Sequence, residues 1–193
     1  MAPPQRAPRS YEQACPVAHA LDLVGERWTL LLVRDLLFGP LRFTDLRDGL
    51  PGLAPNLLSE RLRRLTAAGL VERAKLPPPA ARAVYVLTPR GRELGPVIHE
   101  LARFGVEQWQ DPDERPPPAR LVRGALLALM APERLGPDAW MALIRLPETD
   151  VHLRVTAADA DAPPLSRLRL SLPGPATEAT WDVELTTTLG TLL

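Results

Sequence analysis

Between Pro55 and Gly69 the chain carries an amphipathic segment with fixed ends, and this segment constrains the fold more than any other. Proline has no amide to leave unpaired, so Pro55 suits the first turn of a helix. Gly69 can take the left-handed backbone that commonly ends one. The pattern therefore predicts a helix over 54–68. At 100° per residue Leu58, Leu62 and Leu65 fall on one side, and Asn56, Ser59, Glu60, Arg63 and Ala67 on the other, with Arg64 on a flank. The leucines need neighbours to bury them, which leaves the polar face for something outside the domain.

Those neighbours are legible. Val17, Ala20, Leu21 and Val24 at helical spacing predict a helix over 15–24, and a second run extends from 26 to 37 until Gly39-Pro40 stops it. Residues 41–43 read as a short extended piece, and Thr44 as the N-cap of a brief helix ended by Gly49. The stretch 50–55 is a turn. Strands over 70–75 and 83–87 flank Pro77-Pro78-Pro79, which cannot join a ladder and so forms a hairpin tip. Thr88-Pro89 then opens a helix to about 109, with an apolar stripe of Leu94, Val97, Ile98, Leu101, Phe104 and Trp109.

The order helix, helix, short helix, turn, helix, hairpin, helix is that of a winged helix-turn-helix. There the second helix of the motif enters the DNA major groove and the hairpin approaches the backbone. The outward face suits that task, because Asn and Arg side chains make bidentate contacts to base edges and Ser reaches base or phosphate. Arg42, Thr44 and Arg47 near the short helix are placed for phosphates, and Lys75 and Arg82 bracket the wing tip. A net charge of zero argues against a polyanionic partner at first sight. The distribution restores the case: residues 1–110 carry 15 basic against 11 acidic side chains, and residues 111–193 carry 8 against 12.

Residues Cys15-Pro-Val-Ala-His-Ala-Leu-Asp-Leu-Val-Gly-Glu-Arg-Trp28, with the Thr-Leu-Leu-Leu that follows, resemble the opening of HxlR-type regulators. The resemblance continues through Gly39-Pro-Leu-Arg-Phe43-Thr-Asp-Leu-Arg, Asn56-Leu-Leu-Ser-Glu-Arg-Leu-Arg-Arg-Leu65, Ala68-Gly-Leu-Val71 and Tyr85-Val-Leu-Thr88-Pro-Arg-Gly91. It spans residues 11–109. It implies a bacterial transcriptional regulator, a homodimer on double-stranded DNA with a pseudo-palindromic operator, and an interface made by the first and last helices of the domain. Cys15 sits where some members of that family carry a redox-sensing cysteine. His19, four residues on, would share its helical face, and a buried structural cysteine is the alternative.

The acidic, proline-rich stretch 111–118 reads as a linker, which divides the chain into a 1–110 DNA-binding and dimerisation domain and a 119–193 unit. A helix over 121–130 and strands over 151–156, 168–172 and 181–186 make the second unit a small α+β domain, so the whole chain is α+β. That unit faintly resembles the start of sterol-carrier-protein-like domains, without the later helices that would close a cavity. Trp140 and Trp181 would line a pocket for a small apolar ligand or pack in a core.

One cysteine permits no internal disulfide, and neither a signal peptide nor an apolar run of about 18 residues is present, so a cytoplasmic location is expected without membrane contact. His19, His99 and His152 are too scattered for a metal site, and no catalytic constellation or cofactor motif stands out. The chain is thus expected not to be an enzyme. The rival reading is a dimeric interaction or lipid-carrier module in which the winged helix is only a scaffold.

Overall fold

The computed structural model describes residues 10–76, 82–107, 138–146, 149–155, 168–171 and 183–186. Four helices come first: α1 (Pro16–Val24), α2 (Thr29–Leu37), α3 (Phe43–Gly49) and α4 (Pro55–Ala67). They are followed by β1 (Val71–Lys75), β2 (Ala83–Leu87), α5 (Pro89–Arg92) and α6 (Gly95–Glu107). Strands β1 and β2 pair antiparallel, with Val71 opposite Leu87 and Lys75 opposite Ala83. Leu41 adds a third, single-residue rung: its amide donates to the Tyr85 carbonyl at 3.1 Å and its carbonyl accepts from the Tyr85 amide at 2.8 Å. This is the winged helix-turn-helix that the element order predicts.

Helix α4 ends as its sequence requires. Gly69 has a φ of +69°, its amide donates to the Thr66 carbonyl, and the Leu70 amide donates to the Leu65 carbonyl, both at 3.0 Å. These two bonds satisfy carbonyls that a helix end otherwise strands, and they turn Leu65 and Leu70 together into the core. That core is built from Leu32, Val33 and Leu36 of α2, Leu46 of α3, Leu58, Leu62 and Leu65 of α4, Val71, Leu87 and Ile98. Burying each leucine contributes about 1.5–3 kcal/mol, so the leucine side of α4 is what fixes its roll and leaves the opposite side outward.

Several boundaries differ from the sequence expectation, each for a local reason. The second helix starts at Thr29, because residues 26–28 form a turn in which Trp28 takes a left-handed backbone, φ +78°. Arg42, not Thr44, is the N-cap of α3: the Arg42 amide donates to the Asp45 carboxylate at 2.9 Å, leaving Thr44 inside the helix. The expected helix over 89–109 is broken after Arg92. Pro96 lacks an amide and its ring would meet the carbonyl four residues back, so the chain turns at Glu93-Leu94 and α6 restarts with Gly95-Pro96 in its first turn. Trp109 and the Pro77–Pro79 tip lie outside the described residues.

The second unit contains a sheet of order β5-β4-β3-β6, formed by β3 (Trp140–Leu146), β4 (Thr149–Val155), β5 (Leu168–Ser171) and β6 (Val183–Thr186). Neighbours are antiparallel except β3 and β6, which run parallel. Strand β3 was not expected from sequence, and it occupies a central place. Ala142, Leu143 and Ile144 are consecutive and all buried, so both sheet faces are covered there. The buried side chains of Ala142, Leu153 and Val155 are continuous with the core of the first unit. The expected helix over 121–130 lies outside the described residues, as do Trp181 and the 111–118 linker. Among the described residues no helix is long and apolar enough to cross a membrane.

Candidate nucleic-acid interface

With its leucines turned inward, α4 presents Asn56, Ser59, Arg63, Thr66 and Ala67 to solvent. The spacing of these positions puts them along one side of the helix. Local bonds hold two of them in fixed poses. The Asn56 Oδ1 accepts from the Leu57 amide at 2.9 Å, which leaves its NH2 group directed away from the backbone as a donor. The Ser59 hydroxyl donates to the Pro55 carbonyl at 3.0 Å and keeps its oxygen as an acceptor. Arg63 makes no ion pair among the described residues, so its guanidinium fork is open for a bidentate contact.

Arg64 is in a different position from its neighbour. Its guanidinium is 2.6 Å from Glu26 Oε1 in the turn before α2 and 2.8 Å from Glu60 Oε1 one helical turn back. Arg61 joins the same cluster: it pairs with Glu26 Oε2, and its Nε donates to the Arg27 carbonyl at 3.2 Å. Sequence reasoning found the flank position of Arg64 and missed Glu26 and Arg61. The Glu60–Arg64 spacing was readable as a helical i,i+4 pair, whereas the Glu26 contact spans 38 residues and leaves no local signal.

Around α4 the other predicted cations are distributed unevenly. On α3, Thr44 and Arg47 are exposed one turn apart, with Arg47 also 2.9 Å from Asp48. Arg42 is folded back onto Asp45, 2.6 Å away; that hydrogen bond, and then the charge of Asp45, raise the pKa of Arg42 above its ordinary value. Much of its charge is therefore answered within the domain. On the wing, Lys75 ends β1 and Arg82 immediately precedes β2, both exposed, and the Leu76 amide donating to the Arg82 carbonyl at 2.9 Å keeps the two sides in register. Arg73, overlooked in the sequence, is exposed on β1 with its guanidinium 5.7 Å from the Tyr85 ring centroid.

Cys15 is half-buried and caps α1 in an extended conformation, so it stands before the helix and not on the helical face of His19. The contact between the two is through the backbone: the His19 amide donates to the Cys15 carbonyl at 2.9 Å. Among the described residues no three His, Cys, Asp or Glu side chains gather as metal ligands do.

The family model for HxlR-like helix-turn-helix proteins matches residues 23–114. The HTH-type transcriptional regulator YvaP of Bacillus subtilis (strain 168) is 38% identical over 101 residues, covering 52% of this chain and 93% of that protein. The HTH-type transcriptional regulator YodB of the same organism is 33% identical over 101 residues, covering 52% of this chain and 89% of that protein. Among solved structures, a MarR-family transcriptional regulator from Porphyromonas gingivalis W83 aligns with a TM-score of 0.47 and 31% identity, over 51% of this chain and 96% of that one.

Proposed function

This chain belongs to the HxlR-like helix-turn-helix family, and from that premise we propose that it regulates transcription as a homodimer, reading a pseudo-palindromic operator through α4. The observation that carries this reading is the exposed Asn56, Ser59 and Arg63 row, which stands opposite the buried Leu58, Leu62 and Leu65. A helix held by its leucines at fixed roll can present donors and acceptors to base edges without reordering them first, and that lowers the entropic cost of specific binding. Thr44 and Arg47 on one side, and Lys75 and Arg82 on the wing, supply backbone contacts on either flank of the groove.

Two helix faces support the dimer. Val17 is 66% exposed and Leu21 lies one turn further along α1; on α6, Val97, Leu101 and Phe104 fall on one stripe, with Phe104 71% exposed. Apolar stripes of this kind are uncommon on monomers and suit a partner of the same shape. The continuity of Ala142, Leu153 and Val155 with the first unit's core supports a buttressing role for the second sheet.

The test is to select duplexes from a random-sequence pool with the purified protein. Enrichment of an inverted repeat whose halves lie about one DNA turn (10–10.5 base pairs) apart is the expected result. A folded protein that enriches no sequence would return the reading to a scaffold or carrier.

A further inference from the structure

We propose that Glu26 is a positioning residue for DNA binding: it holds Arg64 off the phosphates and fixes the recognition helix through Arg61 and Arg64. The proposal rests on the assignment of α4 to the major groove. Its geometry is on one short turn. Glu26 pairs with Arg64 at 2.6 Å through one carboxylate oxygen and with Arg61 through the other, and that second oxygen is withdrawn from solvent. One residue later the Arg27 carbonyl accepts from Arg61 Nε. Next, the Trp28 ring lies 3.7 Å from the point where a Cβ on Gly52 would stand, in the turn leading into α4. The 26–28 turn thus touches the recognition helix along its flank and the turn at its entrance.

The backbone of this turn is itself held out of its usual range, since Trp28 has a φ of +78°. A bulky residue keeps a left-handed backbone only where its surroundings over-determine it. Here the indole packed against Gly52, the Arg27 guanidinium 5.1 Å from the Trp28 ring centroid and the Glu26 ion pairs do so. What this arrangement changes is the electrostatics of α4. Without Glu26, Arg64 would keep only its i,i+4 pair with Glu60 on the helix flank beside Arg63, a weak pair that gives way to the phosphate backbone of any sequence. Phosphate contacts add affinity without sequence information, so a free Arg64 would raise binding to every sequence alike and steepen its salt dependence.

The experiment measures salt dependence of binding to a duplex selected by the wild-type protein and to a scrambled duplex, for wild type, Glu26→Gln, Arg64→Gln and the double variant. For Glu26→Gln the expected result is a salt slope steeper by about 0.9 and about tenfold tighter binding to scrambled DNA at 0.1 M salt, the effect of one added phosphate contact. The double variant returns the slope to the wild-type value, a reversal that general loosening of the fold would not produce. Arg64→Gln alone leaves the slope unaltered, and this holds as a test even where Glu26→Gln fails to fold. A wild-type slope and a wild-type affinity for scrambled DNA in Glu26→Gln, or a slope flattened by about 0.9 in Arg64→Gln, overturns the proposal while leaving α4 as the reader. Failure of the wild-type protein to select any duplex overturns the α4 assignment and this proposal with it.

Discussion

The Thr88 hydroxyl donates to the Gly69 carbonyl at 2.6 Å across 19 residues of sequence, and the same oxygen accepts from the Gly91 amide at 3.1 Å. One side chain thus caps α5 and ties it to the turn that ends the recognition helix. Thr88→Val keeps the shape and removes both bonds. Loss of the cap is expected to lower stability by about 1–2 kcal/mol in urea unfolding. An unchanged midpoint would mean that the wing's base is held by packing alone.

Gly91 makes a sharper demand at the same junction. A Cβ there would stand 2.0 Å from the Leu70 carbonyl oxygen, which already accepts from the Thr88 amide at 3.1 Å. The neighbour is backbone and cannot swing aside, so Gly91→Ala is expected to cost about 3 kcal/mol, the upper end for overpacking. A variant with the wild-type melting temperature would contradict this packing.

How much of this was legible in the sequence depends on the range of the interaction. The roll of α4 came from counting 100° steps, and it placed Asn56, Ser59 and Arg63 outward as the structure does. The place of the hairpin followed from prolines that cannot join a ladder, whereas its register did not. The break before Gly95-Pro96 was also written locally and went unread, because the apolar stripe of α6 carries through it. Strand β3 was hidden differently: Ala142, Leu143 and Ile144 are all buried, so the alternation that marks a half-exposed strand is absent. The pairing of Arg64 with Glu26 and the left-handed Trp28 are tertiary, and no local pattern announces either.

Arg63 and Lys75 are both exposed cations, yet they are expected to fail in different ways. Arg63→Ala removes a fork aimed at base edges and should weaken binding to a selected duplex by about 1–3 kcal/mol while relaxing preference at one position. Lys75→Ala removes a wing contact to phosphate and should weaken all sequences alike, flattening the salt slope by about 0.9. Gel-shift titrations on matched and scrambled duplexes separate the two. Identical profiles for both variants would move the recognition surface away from α4.

For Cys15 the expected baseline is simple. Among the described residues its thiol makes no hydrogen bond, so Cys15→Ser should bind DNA like the wild type in reductant. Peroxide treatment then assigns the role. Loss of wild-type binding that the serine variant resists makes Cys15 the sensor, through sulfenate or an intersubunit disulfide. Equal responses in both proteins leave it a structural cap residue.

Phe104 separates fold from assembly. At 71% exposure it contributes little to the chain's own core, so Phe104→Glu should leave urea unfolding of the isolated chain nearly unaltered. In a dimer the same ring, with Val97 and Leu101 on its stripe, would be enclosed, and a carboxylate there would have to be desolvated without a partner. Sedimentation should therefore show a monomer at concentrations where the wild type is a dimer. Binding to a two-half-site duplex should fall by orders of magnitude, because the second half-site is no longer held at high effective concentration. Binding to a single half-site should change little, since α4 is untouched. A Phe104→Glu protein that stays dimeric would place the interface elsewhere, with the α1 face around Val17 the next surface to alter.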